Sequence, residues 1–171
     1  PEVKASRVEN PPVLDGRVDD REWQVAAVAS EFVQQFPVAG ASASERTEAR
    51  ILYTDDSLYI GVICYDSQPD QIVDTQSRRD GDLGDSDSIL IIIDTYHDRQ
   101  NGFLFGTNPS GIQYDAQILN EGVSAGEVAS TGIGRSATSG SQRGNVAAVN
   151  LNWDTTWEVS SSRTDRGWET E

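Results

Sequence analysis

The stretch Thr47-Glu48-Ala49-Arg50-Ile51-Leu52-Tyr53-Thr54-Asp55-Asp56-Ser57-Leu58-Tyr59-Ile60-Gly61-Val62-Ile63-Cys64-Tyr65-Asp66 decides the fold class. Two runs rich in β-branched and aromatic residues flank Thr54-Asp55-Asp56-Ser57, a turn composition. The pair predicts a β-hairpin, which sets the register of a sheet. Its second arm is apolar on both faces, which predicts a central, buried strand. Cys64 lies in this arm and reads as a small hydrophobe; it is the sole cysteine, so no internal disulfide and no cysteine-based zinc site can form.

Working outward, Ser88-Ile89-Leu90-Ile91-Ile92-Ile93-Asp94 predicts another central strand, and Asn101-Gly102 is a tight-turn signal. Phe103–Asn108 reads as a strand stopped by Pro109-Ser110-Gly111. In the next, Ile112, Tyr114, Ala116 and Ile118 alternate with Gln113, Asp115 and Gln117, the period of a half-buried strand. Trp157–Arg163, the turn Thr164–Gly167 and Trp168–Glu171 predict a last hairpin whose returning arm is cut short, so the domain is expected to continue past Glu171. On the N-terminal side, Val8–Gly16 is extended. Asp19 or Asp20 caps a short helical turn that places Trp23, Ala26 and Ala27 on one inward face, and Phe32–Pro37 reads as a short edge strand. Gly122–Gly144 is a glycine- and serine-rich loop. Many strands and no sustained helical period predict an all-β chain, a two-sheet antiparallel β-sandwich formed as a single domain over residues 1–171, with a barrel as the alternative.

The formal net charge of −15, with a pI near 4.3, repels phosphate backbones and excludes nucleic acid as a partner. It equally serves to keep a secreted protein soluble. No apolar stretch approaches the roughly 20 residues that span a bilayer, and the start at Pro1 without methionine points to a removed leader or a fragment boundary. Nucleophilic catalysis lacks its signature: His97 is the sole histidine, placed in a charged turn, and no Gly-x-Ser-x-Gly elbow occurs. A pair of carboxylates for glycoside hydrolysis is not excluded, since the acids are abundant. The polar interval Ser67–Asp87 is long for a connection within a domain, a length common in functional loops. Within it, Asp80-Gly81-Asp82-Leu83-Gly84-Asp85-Ser86-Asp87 offers oxygen ligands for calcium, yet Asp85 and Ile91 stand where an EF-hand has glycine and glutamate. Asp82, Asp85 and Asp87 are the candidate metal ligands, and a solvated acidic loop is the other reading. Asp87 and Asp94 bracket a strand and can accept hydrogen bonds from nearby backbone N–H groups. Trp153 and Trp157 fit either a core or a sugar-stacking platform.

Leu14-Asp15-Gly16 with Asp19-Asp20-Arg21-Glu22-Trp23, the hairpin above, and Asp87-Ser88-Ile89 ending at Asp94 together resemble family 9 carbohydrate-binding modules. Asn101-Gly102-Phe103-Leu104-Phe105, Asn108-Pro109-Ser110-Gly111, Tyr114-Asp115-Ala116, and Trp157-Glu158 through Gly167-Trp168-Glu169 resemble the subgroup found N-terminal to an uncharacterised outer-membrane β-barrel region. The resemblance implies a β-sandwich, often with bound calcium, that holds a terminal sugar between two tryptophans. The place of one of these falls near Gly84, where no aromatic stands. A haem-binding relative would need methionine, and the chain has none. The expected function is a noncatalytic carbohydrate-binding module of a larger cell-envelope protein, extracytoplasmic, periplasmic, outer-membrane-associated or secreted, and engaged in polysaccharide catabolism. Its expected partner is an oligosaccharide or polysaccharide contacted by Trp153, Asn108, Asp82 and Asp85. The alternative is a structural or protein-interaction domain packing against an attached outer-membrane barrel, without sugar affinity.

Overall fold

The computed structural model describes residues 2–119 and 148–171; the glycine- and serine-rich loop Gly122–Gly144 lies outside them. The strands are β1 (Ser6–Arg7), β2 (Thr47–Tyr53), β3 (Leu58–Tyr65), β4 (Ile89–Ile93), β5 (Gly102–Thr107), β6 (Tyr114–Leu119), β7 (Ala148–Asn150), β8 (Ser161–Thr164) and β9 (Gly167–Thr170). They form two sheets, β1-β2-β3-β9-β8 and β4-β5-β6-β7. Every pairing is antiparallel except β1 beside β2. Neither sheet closes into a barrel, so the chain is all-β with two open sheets, the class expected of a sandwich. No helix among the described residues is long and apolar enough to cross a membrane. By its internal contacts the chain divides into two compact units, Pro1–Ile72 with Val159–Glu171, and Val73–Glu158. Each is built on one sheet.

In the first unit the expected hairpin is β2–β3, in register from Thr47 opposite Cys64 to Tyr53 opposite Leu58. β3 is the middle strand, with β9 along its other side. One face of this sheet contributes Leu52 and Ile63 to a core completed by Val18, Trp23 and Ala26, with Tyr59 and Tyr65 packed at its margin. Trp23 is only 1% exposed. The turn that delivers it, Arg21–Val25, is 3₁₀ rather than α. At three residues per turn Trp23 and Ala26 share a side, and Ala27 is left exposed. Asp20 occupies the N-cap position without capping; its carboxylate accepts the Val13 N–H at 2.7 Å instead. Phe32–Pro37 forms no strand, only a single antiparallel bridge between Val33 and Ser42.

The strand β9 fastens the N-terminal segment to this core. Glu169 and Glu171 lie on the face that carries Ile63, because side chains alternate along a strand. Glu169, 4% exposed, accepts the buried N–H of Val18 at 3.0 Å and the Arg166 guanidinium at 3.0 Å. Glu171 accepts the N–H groups of Asp15 (2.7 Å) and Gly16 (3.1 Å) and the indole N–H of Trp23 (3.1 Å). Gly167, at φ +137°, permits the tight approach of β9 to β3, since a Cβ there would collide with the Cys64 carbonyl.

In the second unit the pleat sorts the residues as the alternation predicts. Leu104, Tyr114, Ala116 and Ile118 join Leu83 and Ile112 in a core, with Ile92 and Val149 packed against it. Two expectations are corrected here. Ile89–Ile93 is not central: among the described residues β4 pairs with β5 alone and stands at the sheet edge, while β5 and β6 lie inside. An apolar run reports which groups leave water, not how many strands flank it. Asn101-Gly102 is not the hairpin turn either. The β4–β5 connection runs from Asp94 to Asn101, with its positive φ angles at His97 (54°) and Arg99 (57°). Gly102 opens β5, where a Cβ would come within 2.9 Å of the Ile93 carbonyl oxygen.

Replacing Glu169 by alanine leaves the Val18 N–H buried without an acceptor. The expected loss is about 2–3 kcal/mol of unfolding free energy in urea titrations, against under about 0.5 kcal/mol for the exposed Asp165→Ala.

Candidate functional site

The face of the second sheet opposite its core is the chemically richest surface in the described residues. Phe103 and Phe105 project from it on β5, with Asp115 opposite Phe105 on β6. The chain returns over them after β7 through a turn made by Asn150. Its carbonyl accepts the Trp153 N–H at 3.3 Å, and its side chain accepts the Asn152 N–H at 3.2 Å. Trp153 then stacks on Phe103 with ring centroids 4.6 Å apart and planes 27° from parallel. It also meets Phe105 edge-on at 6.2 Å, and Trp157 meets Phe105 edge-on at 5.3 Å. Such offset and edge contacts suit the ring quadrupoles. Both tryptophans stay partly exposed.

Beside the rings, Asp115 is 2% exposed. Its Oδ1 accepts Arg79 at 2.8 Å and its Oδ2 accepts the Thr155 N–H at 2.9 Å. Arg79 also pairs with the exposed Asp154 and donates to the Gln113 side chain at 3.1 Å. One guanidinium thereby ties the acidic loop, β6 and the tryptophan segment together. The sequence reading did not single out this set, because its members are far apart in the chain. The available signal was an aspartate inside an alternating strand, which needs a partner if that face is covered.

All five expected site residues fall in this unit but do not converge. Trp153 lies in the ring cluster. Asn108 is fully buried with its amide engaged: Nδ2 donates to Asp74 (2.9 Å) and the Gln76 carbonyl (2.8 Å), while Oδ1 accepts the N–H groups of Ser110 (3.1 Å) and Ile112 (3.4 Å). It fastens the β5–β6 connection to the acidic loop. Asp82 and Asp85 are exposed, and Asp82 accepts the Gly84 N–H at 2.8 Å. Asp87 closes the loop on itself, accepting the Val73 N–H at 2.7 Å while its own N–H donates to the Val73 carbonyl. Asp82, Asp85 and Asp87 thus form no common oxygen cage, and among the described residues no group of three or more His, Cys, Asp or Glu side chains is placed to hold a metal ion.

The electrostatics of the loops follow from local hydrogen bonds. Asp94 is held below the ordinary carboxylate range chiefly by the Arg99 N–H at 2.8 Å, against the cost of burial, with help from the N–H groups of Asp98 and His97. Asp98 is lowered likewise, first by the Asn101 N–H and then by the Asn101 amide. The Tyr114 phenol is pushed up to about 12, by burial first and then by Asp82 and Asp80. Its oxygen is buried without a partner among the described residues.

The fold and this surface define an all-β chain with an aromatic-lined sheet face. No family model matches it, and no curated protein or solved structure does.

Two predictions follow from these environments. A lowered folded pKa means that the stability Asp94 contributes is present above its unfolded value of about 3.9 and is lost as pH falls through the folded value. Asp94→Asn should therefore flatten the acid limb of a stability–pH curve between roughly pH 5 and 2 relative to the parent. Tyr114→Phe removes an unpartnered buried hydroxyl, so it should leave the midpoint of urea unfolding unchanged or raise stability by up to about 1 kcal/mol.

Proposed function

We propose that the chain is a noncatalytic carbohydrate-binding module of a larger, extracytoplasmic cell-envelope protein, and that Trp153 is its sugar platform. The observation that carries this reading is the arrangement of Trp153. The ring is fixed from beneath by Phe103, oriented by the Asn150 turn, and still partly exposed. A flat ring already immobilised stacks on the apolar face of a pyranose at little further entropic cost. Exposed Asn152 and Asp154 precede and follow it in the chain and supply polar contacts for hydroxyl groups. Asp82 and Asp85 are open to solvent but stand apart from this ring, and the amide of Asn108 is spent inside the protein. The acidic surface suits a neutral glycan and disfavours an anionic one.

Isothermal titration calorimetry of the folded chain against neutral mono- and oligosaccharides, with and without calcium, tests the reading. Saturable heat from one sugar class is expected. Trp153→Ala should weaken it at least about tenfold, the scale of a lost stacking contact, while circular dichroism shows the fold retained. Silence toward every sugar at millimolar concentration would sink the proposal.

A further inference from the structure

The segment after the first 3₁₀ turn departs from the rest of the chain in its chemistry. From Phe32 to Ser44 no residue carries a charge, in a protein where 24% of residues do. The backbone folds this segment into a small closed finger. Ala43 N–H donates to the Phe32 carbonyl (3.2 Å), Gln34 N–H to the Ala41 carbonyl (2.8 Å), Gly40 N–H to the Gln34 carbonyl (2.8 Å) and Ala41 N–H to the Val38 carbonyl (3.1 Å). At its end Phe36 is 87% exposed and Val38 61%, and nearer its base Val33 is 59% exposed. A Cβ added to Gly40 would meet no atom within 4 Å, so the tip stands clear of its surroundings.

We propose that this finger is a membrane-docking element that inserts Phe36 and Val38 into the interface of an electrically neutral lipid surface. Large apolar side chains held out in water mark a binding surface, and three observations select lipid as the occupant. Bringing backbone toward a bilayer is costly where its polar groups are unpaired; the N–H groups of Gln34, Gly40, Ala41 and Ala43 are paired inside the finger and Pro37 has none, so fewer of its donors need water than in an open loop. A tip presenting little apolar surface beyond Phe36 and Val38 cannot supply the roughly 800 Å² per partner of a stable protein interface, whereas lipid closes around a protrusion of any shape. The charge pattern sets the kind of lipid. The finger has no cation to engage an anionic headgroup, and the net charge of −15 repels an anionic surface as it repels a second copy of the chain. A zwitterionic headgroup layer is what remains complementary, with Gln34 and Gln35 as neutral hydrogen-bonding groups at headgroup depth.

The test is co-sedimentation of the whole chain with phosphatidylcholine vesicles. Binding is expected that persists or strengthens as salt is raised, and that is weaker on vesicles rich in phosphatidylglycerol at low salt. Phe36→Asp, at a site already in solvent, should reduce partitioning at least about tenfold with an unchanged circular dichroism spectrum. Phe36→Trp should restore it and show fluorescence quenching by brominated phosphatidylcholine. No sedimentation of the folded chain with neutral vesicles at millimolar lipid would overturn the proposal. So would binding that Phe36→Asp leaves intact, or a concentration-dependent dimer in sedimentation velocity that Phe36→Asp abolishes.

Discussion

A carboxylate taken out of water must be met by donors, and this requirement organises both units. Glu48, Asp115 and Glu169 are buried in strands of a chain that already carries a large excess of acid. Each gathers an arginine: Glu48 takes Arg46 and Arg50, Asp115 takes Arg79, and Glu169 takes Arg166. Asp115 and Glu169 also each collect one backbone N–H from a segment that has no strand partner of its own. A buried carboxylate left without donors gives up its charge or costs several kcal/mol, a large share of a domain's net stability, so these donors carry much of the fold's stability. Through them the sheets hold their irregular connections: β9 grips the turn at Val18, and β6 grips the tryptophan segment at Thr155.

How much of this could be read in advance depends on the range of the interaction. The β2–β3 hairpin was legible because its two arms and its turn are contiguous, and so was β6, whose alternation is a local period. Trp23 was legible as core from its apolar neighbours. Ala27 was misplaced because an α period was assumed where the backbone takes the tighter 3₁₀ step. The isoleucine run of β4 was placed at the sheet centre because its composition is that of a buried strand. Position in a sheet is set instead by pairing with residues elsewhere in the chain, which composition does not encode.

The candidate site was less legible, for the same reason. Asn108 and Asp87 stood out as polar residues in loops, and loop position alone cannot tell a residue that awaits a ligand from one that completes its own loop. Asn108 uses both ends of its amide to pin Asp74 and the turn after β5. Asp87 clasps Val73, the first residue of its unit. Arg79 lies in the same polar interval, and nothing local in the sequence marks it, yet it joins partners 36 and 75 positions away. Trp153 was picked without knowledge of Phe103, and it is the contact with Phe103 that turns a flexible indole into a fixed surface.

That same contact restricts what the proposed platform can do. The resemblance implies a clamp in which a terminal sugar is closed between two tryptophans, and such a clamp needs both faces of the ligand covered and one chain end blocked. Here Gly84 stands near the place of one clamp ring, and one face of Trp153 is already occupied by Phe103. In the proposed site Trp153 therefore offers a sugar only the face turned away from Phe103. One-sided stacking imposes no requirement for a free chain end, so an internal unit of a polysaccharide satisfies it as well as a terminal one. Affinity per site is correspondingly lower than for a two-ring enclosure, since less apolar area leaves water on binding. On the proposed reading, a long chain of repeated units would offer such a site many equivalent positions, and their number would offset low affinity at each.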